Sequence, residues 1–406
     1  MAKKTIRDID VNGKRILMRV DFNVPVKNGV VGDDTRITAA LPSVKHVLDH
    51  GGRLVLMSHL GRPDGAAAPE FSLKPVAFRL AQLLGGPVPL APDCVGPEVK
   101  KMVDALKPGS VLMLENVRFH AEEELLNKYK KQDAPTQARI DAFCRELASY
   151  GDVYVNDAFG TAHRAHGSTA GVCQYIKTNV AGFLMEKEVK YFGDALANPA
   201  RPFLAVLGGA KVSDKVLVIE NLLEKVDALV IGGAMAYTLM KAEGEAVGAS
   251  RVEGDKLDVA KRVLEKAKAK NVKLLLPVDH VCAKKFEVEA ADGTFDAVPA
   301  DMMGLDIGPK SIALFAGEIA KAKTIVWNGP MGVFEKTAFA KGTFDICRAV
   351  ADNHACVSII GGGDSVSAVN QSGLAAQMTH ISTGGGASLE FLEGKILPGV
   401  AALDEA

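Results

Sequence analysis

The sequence predicts an α/β protein made of two doubly wound parallel-sheet domains of Rossmann-like type, joined by a hinge helix into a bilobal molecule. Three observations support this prediction. The 406 residues exceed the roughly 250–300 residues at which a single hydrophobic core usually divides. Short apolar runs alternate with amphipathic runs in both halves, as expected where helices cover parallel sheets. Polar or glycine-rich clusters follow many of the apolar runs, at the strand ends where such sheets bind ligands.

The first half alternates apolar runs of strand length with runs of helical period. We predict strands at 16–20, 54–57, 111–114 and 153–155, and helices at 35–49, 72–84 and 134–149. The helix at 72–84 shows both of its ends, because Pro75 stands in its first turn and Gly85-Gly86 follows its last residue. Each predicted strand leads into polar residues.

The second half repeats this alternation. We predict strands at 203–207, 228–231, 273–277, 324–327, 357–360 and 381–386, and helices at 212–225, 234–241, 255–270, 309–321 and 387–392. A hairpin is predicted at 287–298 around Asp292-Gly293, since Asp-Gly is a frequent tight-turn dipeptide.

The segment at 181–202 joins the two halves. Apolar residues recur near helical spacing from 181 to 196, with charged residues between them. Pro199 and Pro202 then end the helix, because proline cannot continue it. We therefore expect domains at 1–180 and 203–394, with a hinge helix and linker at 181–202, although an ordinary domain linker also fits this segment.

The composition excludes several classes of protein. The formal net charge is −1, with 48 basic and 49 acidic residues, which argues against nucleic-acid or membrane-surface binding. The six cysteines are scattered without a CxxC pair, so we interpret them as buried free thiols of a cytoplasmic enzyme. No apolar run has the length of a signal peptide or a membrane span. His46, His50, His120 and His354 are left without an identifiable partner.

Basic side chains of the first half lie at predicted strand ends or at a helix start. They are Arg36, His59, Arg62, Arg118 and Arg164. A guanidinium binds carboxylate or phosphate bidentately, and several converging arginines require an anion between them. Each arginine alone also fits a surface position, and His59 and His163 also fit hydrogen-bonded loop residues. Asp21 and Asn23 suit a ligand hydroxyl, so we predict a small, multiply anionic hydroxy acid as the ligand.

Glycine clusters of the second half lie where predicted strands lead into helices. They include Gly208-Gly209, Gly232-Gly233, Gly361-Gly362-Gly363 and Gly384-Gly385-Gly386. Backbone amides at such junctions approach phosphate closely, and helix N-termini favour anions. Lys211 and Lys215 are predicted to share a face at the start of one helix. Asp364 beside a glycine cluster is a candidate Mg²⁺ ligand, so we predict a Mg²⁺–nucleotide site here.

Ordered motifs along the whole chain resemble those of the phosphoglycerate kinase family. They are RVDFNVP (19–25), SHLGRPDG (58–65), LENVRFH (114–120), NDAFGTAHRAH (156–166), LGGAKVSDK (207–215), WNGPMGVFE (327–335), GGGDS (361–365) and STGGGASLE (382–390). The resemblance implies reversible, Mg²⁺-dependent phosphoryl transfer from 1,3-bisphosphoglycerate to ADP, giving 3-phosphoglycerate and ATP in glycolysis. It also implies a monomeric, hinge-bending enzyme whose tail at 395–406 packs back on the first domain.

The resemblance also implies residue roles. The phosphoglycerate would be held by Asp21, Asn23, Arg36, His59, Arg62, Arg118 and Arg164. The nucleotide would be held by Lys211, Lys215, Gly232, Gly233, Asn328, Glu335, Gly362, Gly363, Asp364 and Ser365, with Asp364 on the metal. Arg36, Lys211 and amides near Gly385 would contact the transferring group. Ser365 departs from the threonine common in the family, which leaves the packing there in doubt.

Two alternatives remain from the residues themselves. A regulatory or scaffold protein that had lost activity would be expected to lack one of Arg36, Lys211, Lys215 and Asp364, and all four are present. A kinase for another carboxylate would be expected to lack part of the Asp21, Asn23, His59 and Arg62 set. An assay with ATP and 3-phosphoglycerate distinguishes both from the main prediction.

Overall fold

The computed structural model describes residues 3–128 and 132–406. The chain divides into two compact units, one of Met1–Lys190 with Ile396–Ala406 and the other of Tyr191–Lys395. Each unit contains a parallel sheet with helical crossovers, so the predicted α/β class is confirmed. Among the described residues, the helices are too short or too polar to span a lipid bilayer.

The first unit is built on a five-stranded parallel sheet of order β5-β4-β1-β6-β7, beside a small β2-β3 hairpin. The strands are β1 (Arg15–Val20), β2 (Val26–Lys27), β3 (Val30–Val31), β4 (Arg53–Met57), β5 (Val111–Met113), β6 (Val153–Asp157) and β7 (Asn179–Ala181). The helices are α1 (Thr35–Asp49), α2 (Lys74–Leu84), α3 (Pro97–Asp104), α4 (Glu122–Lys128), α5 (Ala134–Ala148) and the start of α6 (Phe183–Ala197). The chain leaves β1 toward β4 and β5 and later returns to its other side as β6. Ligands of such sheets bind where this reversal occurs, beyond the strand ends.

The C-terminal residues complete the first unit. A short helix, Pro398–Ala401, lies beside the loop that follows β6. There the Gly399 amide donates to the Ala162 carbonyl at 2.8 Å, and Asn156 Nδ2 donates to the Gly399 carbonyl at 3.2 Å. The tail therefore contributes hydrogen bonds to an element that also carries candidate site residues.

Helix α6 begins two residues later than predicted, because Ala181 belongs to β7. The predicted helix start is therefore wrong. Its first free amides are satisfied by buried side chains: Phe183 N donates to Ser43 Oγ at 2.9 Å, and Leu184 N and Met185 N donate to Asp157 Oδ1 at 2.9 and 3.1 Å. The division between the units falls inside this helix, between Lys190 and Tyr191.

The second unit is built on a six-stranded parallel sheet of order β10-β9-β8-β14-β15-β16 and a three-stranded antiparallel sheet of order β12-β11-β13. The strands are β8 (Phe203–Leu207), β9 (Ala228–Ile231), β10 (Lys273–Leu275), β11 (His280–Ala283), β12 (Gly293–Phe295), β13 (Met303–Ile307), β14 (Thr324–Asn328), β15 (Val357–Gly361) and β16 (His380–Ile381). The helices are α7 (Val216–Leu222), α8 (Ala234–Glu243), α9 (Leu257–Ala269), α10 (Pro309–Ile319), α11 (Lys341–Asp352), α12 (Gly363–Ser372) and α13 (Gly385–Leu392). Here the reversal lies between β8 and β14.

Several predicted elements of the second unit are corrected. The hairpin at 287–298 is wrong, because Gly293 pairs with Cys282 of β11 and does not form a turn. The strand at 381–386 ends at Ile381, since Gly385 already begins α13. Helix α7 begins at Val216, four residues later than predicted. Across both units, helices α3, α4 and α11 and strands β2, β3, β7, β11 and β13 were not predicted, whereas α12 begins at the glycine cluster that was predicted to lead into a helix.

Candidate active site

The first candidate site lies at the carboxyl edge of the first sheet. Asp21 and Asn23 follow β1, His59 and Arg62 follow β4, Arg118 follows β5 and Arg164 follows β6. Because these strands are neighbours and parallel, their ends meet at one edge. Arg36 reaches the same edge from the first turn of α1.

Asp21 and Arg36 form an ion pair at this edge. Arg36 Nη1 lies 3.2 Å from Asp21 Oδ2 and also donates to the Asn23 carbonyl at 3.1 Å. Asn23 Oδ1 accepts from the Gly61 amide at 2.9 Å. The Asp21 side chain is 6% exposed and that of Arg36 35%, so the carboxylate is fixed while the guanidinium keeps donors available to a ligand.

His59 is a neutral hydrogen-bonding residue of this site. Arg19 Nη2 lies 3.1 Å from His59 Nδ1, and a guanidinium can only donate, so the ring proton is on Nε2. Burial, together with the charges of Arg19 and Arg118, holds the pKa of His59 well below its ordinary value. His59 therefore offers an anion a neutral N–H donor.

A buried polar network beneath the edge was missed from the sequence. Arg19 Nε donates to Ser168 Oγ at 2.8 Å, and the same hydroxyl donates to Glu123 Oε1 at 2.6 Å. The Ser168 amide donates to Glu123 Oε2 at 2.7 Å. Burial raises the pKa of Glu123 and lowers the pKa of His166 to about 2. The one available signal was a charged residue, Arg19, inside an apolar strand.

The remaining arginines differ in how firmly they are held. Arg118 is 7% exposed; its Nη1 donates to the Gly61 carbonyl at 2.7 Å and its Nε lies 3.2 Å from Glu124 Oε1. Arg164 is half-buried and donates from Nε to His163 Nε2 at 3.2 Å. Arg62 is exposed on its loop. Burial and the neighbouring Arg164 lower the pKa of His163 to about 4.

The second candidate site is a cavity of about 700 Å³ at the carboxyl edge of the second sheet. Its lining joins the loops after β8, β9 and β14, where the sheet order reverses, and includes Gly209, Gly233, Pro330, Glu335 and Asp364. An apolar side, to which Tyr237, Met303 and Leu305 contribute, faces these polar groups. A mostly apolar cleft with a few placed polar groups is the usual form of a small-molecule site.

The glycines of this edge are required because backbones meet there. A Cβ on Gly208 would lie 1.9 Å from the Pro330 carbonyl oxygen. A Cβ on Gly233 would lie 2.6 Å from the Gly209 amide nitrogen, and Gly233 has a φ of +68°. No side chain fits at either position, so the peptide groups of neighbouring strand ends approach each other closely.

Lys215 ties these strand ends together. Its ammonium donates at 2.7 Å to each of three oxygens, the Gly208 carbonyl, the Asn328 carbonyl and Asn328 Oδ1. Burial lowers the pKa of Lys215 to about 8. Within the described part of the chain, the buried Asn328 Nδ2 has no acceptor. This donor lies 3.0 Å from the Cβ position of Gly362, and a buried unpaired donor is a place for a ligand oxygen.

Lys211 and Lys215 do not share the first turn of a helix, so that prediction is wrong. Helix α7 begins at Val216, and Lys215 is the residue that precedes it. Lys211 lies exposed on the loop after β8. Its ammonium is therefore the solvent-exposed cation of this loop, whereas that of Lys215 is held by the strand ends.

Two helix N-termini approach each other at the same edge. Asp364 and Ser365 lie in the first turn of α12, and Gly385 begins α13. The Gly385 Cβ position lies 3.9 Å from the Gly363 amide nitrogen. Ser365 is fully buried and accepts from the Gly329 amide through Oγ, whereas Asp364 is exposed. Helix N-termini favour anions.

Comparison with known proteins gives the family. A family model described as phosphoglycerate kinase matches residues 6–395. Phosphoglycerate kinases of Prosthecochloris aestuarii and Chloroherpeton thalassium are 58% and 56% identical, each over 100% of both chains. The solved phosphoglycerate kinase structures from Coxiella burnetii and Pyrococcus horikoshii give TM-scores of 0.88 and 0.83 at 42% and 33% identity, each covering 98% of both chains. The chain belongs to the phosphoglycerate kinase family.

This membership confirms the predicted family, enzyme class and reaction. Phosphoglycerate kinases are phosphotransferases of glycolysis with phosphoglycerate and adenine nucleotide as substrates. The residue roles implied by the resemblance stay predictions. Of the predicted residues, the structure brings Asp21, Asn23 and Arg36 into one hydrogen-bonded group, with His59 Nδ1 3.8 Å from Asp21 Oδ1. Arg36 belongs to the first unit, and Lys211 and Gly385 to the second.

Some residues outside both sites also depart from expectation. His120 does have a partner, because its Nε2 lies 2.7 Å from Asp93 Oδ1. His50 Nδ1 lies 2.8 Å from the His46 carbonyl. The six cysteines are free, but Cys173 and Cys356 are only half-buried.

Proposed function

We propose that the first-unit edge binds 3-phosphoglycerate or 1,3-bisphosphoglycerate. Arg62, Arg118 and Arg164 pair with phosphate oxygens, and neutral His59 donates from Nε2. Asp21 and Asn23 accept from the ligand hydroxyl. Hydrogen bonds hold Asp21, Asn23 and Arg118 in place before a ligand arrives. They support this assignment, because side chains that are already ordered lose less conformational entropy on binding.

We propose that the second-unit cavity binds ADP or ATP. The observation that carries the proposal is the buried Asn328 Nδ2 without an acceptor, which lies 3.0 Å from the Cβ position of Gly362, at the glycine turn that leads into α12. The amides at Gly232, Gly233, Gly362 and Gly363 approach the phosphates, and Ser365 supports the Gly329 turn. Glu335 accepts from ribose hydroxyls. Lys215 holds the strand ends in place for Asn328.

The residues present fit a magnesium ion bound with the nucleotide. Asp364 offers an exposed carboxylate at the mouth of the cavity, and Mg²⁺ typically takes one or two carboxylates together with substrate phosphates. When bound there, the ion neutralises charge on the phosphates. Asp364 also lies in the first turn of α12, where the helix N-terminus carries a partial positive charge.

Transfer requires positioning and charge neutralisation from this chain. The attacking carboxylate is already ionised near neutral pH, so no general base is needed. Arg36 and Lys211 contact the oxygens of the transferring group, and the amides at Gly385 point at the same group from the N-terminus of α13. Since an acyl phosphate hydrolyses readily, water must be excluded at transfer.

We infer that the two units close over both ligands through α6. Its first amides are fixed by Asp157 and Ser43 of the first unit, and Lys225 of the second unit donates to the Leu196 carbonyl at 3.2 Å. A helix fixed at both ends in this way transmits the motion as a hinge. A monomeric cytoplasmic enzyme that binds no nucleic acid is the expected form.

The test is a coupled assay that follows ADP formation from ATP and 3-phosphoglycerate. Activity with 3-phosphoglycerate and none with other carboxylates supports the proposal; activity restricted to another carboxylate, or nucleotide binding without turnover, contradicts it. Asp364→Ala is expected to weaken Mg²⁺–ADP binding and to leave 3-phosphoglycerate binding unchanged in calorimetry. Unchanged Mg²⁺–ADP affinity contradicts the assignment of Asp364.

A further inference from the structure

A cluster of possible metal ligands lies in the first unit, apart from the residues assigned to substrate. The side-chain ligand atoms of Asp93, Cys94 and His120 all lie within 4.8 Å of one another. Asp93 and Cys94 stand on the loop before α3, and His120 follows the short turn after β5. Cys94 is fully buried, while the His120 and Asp93 side chains are 28% and 44% exposed. The sulfur thus closes the inner end of the cluster and the other two groups open to solvent.

The backbone holds these groups together. Glu115 N donates to the Asp93 carbonyl at 3.3 Å, and Ala91 N donates to the Met113 carbonyl at 2.8 Å, so the loop is fixed to the end of β5. The Phe143 ring stacks on the His120 ring with centroids 5.5 Å apart. The three ligands are therefore carried by segments whose relative position is set before any ion binds.

The surroundings of the cluster are acidic. Asp93 Oδ1 lies 2.7 Å from His120 Nε2, and the charges of Asp93, Glu122 and Glu146 all act on that imidazole. Glu146 accepts from the Gly96 amide at 2.6 Å and from the Tyr150 hydroxyl at 3.1 Å, and neither donor carries a positive charge. Glu122, in contrast, is paired with Arg139, whose Nε donates to Glu122 Oε1 at 2.9 Å, so the carboxylates that a cation meets here are mainly Asp93 and Glu146.

We propose that Asp93, Cys94 and His120 form a binding site for a borderline-soft divalent transition metal, and that Zn²⁺ is the ion bound there in the cell. One thiolate, one imidazole and one carboxylate are ligands that Zn²⁺ accepts together. Mg²⁺ and Ca²⁺ prefer oxygen ligands alone, so this site differs in chemistry from the one assigned to Asp364. A water molecule takes the fourth position on the exposed side.

Binding requires a small rearrangement. Ligand atoms around a tetrahedral Zn²⁺ are roughly 3.3–3.7 Å apart, given bonds of about 2.0–2.3 Å. The His120–Asp93 contact of 2.7 Å must open, which two half-exposed side chains permit. The Cys94 thiol gives its proton to solvent as the metal–sulfur bond forms, so no oxidant or other reactant is needed.

The experiment titrates Co²⁺ into the full-length protein in the presence of excess Mg²⁺, which occupies hard oxygen sites. We expect a thiolate-to-cobalt charge-transfer band in the near ultraviolet and the visible bands of tetrahedral Co²⁺, both reversed by Zn²⁺. In Cys94→Ser the charge-transfer band is lost, and in Cys94→Ser, Asp93→Asn and His120→Asn the affinity falls by more than about 10-fold. Absence of the charge-transfer band in the wild type overturns the proposal.

Matched controls locate the site. Cys144→Ser removes another buried thiol of the same unit and leaves the band unchanged if Cys94 is the ligand. The neighbouring imidazoles of His46 and His50, with ring centroids 4.3 Å apart, are the rival site. Binding that persists in Cys94→Ser and disappears in His46→Asn assigns the metal to that pair and overturns the proposal. The half-exposed Asp93→Asn and His120→Asn variants keep the test valid if Cys94→Ser fails to fold, and Zn²⁺ should raise the Tm of wild type but not of His120→Asn.

Discussion

The two candidate sites occupy equivalent places in their sheets but are made of different chemical groups. At the first edge, charged side chains such as Arg36, Arg118 and Asp21 carry the site. At the second edge, peptide groups of adjacent strand ends form it, and Gly208 and Gly233 have no room for a Cβ. A side-chain site recognises a small anion with several charges, whereas a backbone site cradles phosphates of a larger ligand that is held mainly by its apolar part.

The difference determines how each site can be disrupted. Removing one side chain takes away a specific donor from the first site, so truncation is the informative change there. Adding one methyl group is the informative change at the second site, because its groups belong to the main chain. Variants of each kind therefore test whether the comparison is correct.

The largest effect is expected at Arg36. Arg36→Ala should lower kcat by about 10³-fold or more, because a guanidinium on a transferring phosphoryl group contributes that much in comparable enzymes. Arg36→Lys should restore only part of it, since an ammonium lacks the planar fork. Steady-state kinetics with saturating ATP and 3-phosphoglycerate measure both.

Arg79 supplies the matched control for Arg36. It lies in the same unit and pairs with Asp34 at 2.6 Å, with its side chain 37% exposed. Arg79→Ala removes an equivalent surface guanidinium and should leave kcat nearly unchanged. A kcat for Arg36→Ala within about tenfold of wild type would remove Arg36 from the transfer step.

The next effect concerns the element that both units share. Val189→Pro in α6 removes one helical hydrogen bond and costs about 3 kcal/mol locally. We expect 3-phosphoglycerate alone and Mg²⁺–ADP alone to bind as in wild type, while turnover falls about 10²-fold because the ligands are misplaced. Solution scattering should show less compaction when both ligands are added. With Val189→Ala as the control, normal turnover and compaction in folded Val189→Pro would show that α6 is a passive spacer.

Gly208→Ala tests the backbone site directly. A Cβ 1.9 Å from the Pro330 carbonyl oxygen forces the two strand ends apart, and such overpacking typically costs 1–3 kcal/mol. We expect Mg²⁺–ADP affinity to fall roughly 30-fold, with 3-phosphoglycerate affinity unchanged in calorimetry. Gly317→Ala adds a methyl group in α10 where no atom lies within 4 Å, and it should change neither affinity. Equal loss of both affinities in Gly208→Ala would indicate a general folding defect.

The sequence was informative where structure is local or periodic. The central strands were predicted because their apolar runs are continuous, and the polar clusters were placed at the strand ends because parallel topology puts them there. The antiparallel sheet was not predicted, because its strands β11 (HVCA), β12 (GTF) and β13 (MGLDI) have no long continuous apolar run. In addition, Asp292-Gly293 was read as a local turn, whereas Gly293 pairs with Cys282. Likewise the position of Lys215 depends on Gly208 and Asn328 of two different strands, which spacing along one helix cannot show.

The smallest effect is expected in the response of the two units to acid. In the first unit, burial holds the pKa of His166 at about 2, below the 6.5 of an unfolded histidine. The unfolded state therefore binds the proton first as pH falls, and the free energy of unfolding decreases below pH 6.5. In the second unit, burial raises the pKa of Asp306 to about 7, so the folded state binds the proton first and this carboxyl stabilises the unit as pH falls below 7.

Paired variants separate the two contributions. Between pH 7.5 and 5.5, His166→Gln should abolish a loss of about 1.4 kcal/mol in the first unit, measured by hydrogen exchange of the strand amides corrected for intrinsic rates. Over the same pH range, Asp306→Asn should abolish an increase in the free energy of unfolding of the second unit. This unfolding is followed by the fluorescence of Trp327, the one tryptophan of the chain. If both variants shifted the pH dependence of the free energy of unfolding in the same direction, His166 and Asp306 would not have opposite effects on stability in acid. Changes of opposite sign in the two variants would show that acid destabilises the first unit through His166, while protonation of Asp306 stabilises the second unit.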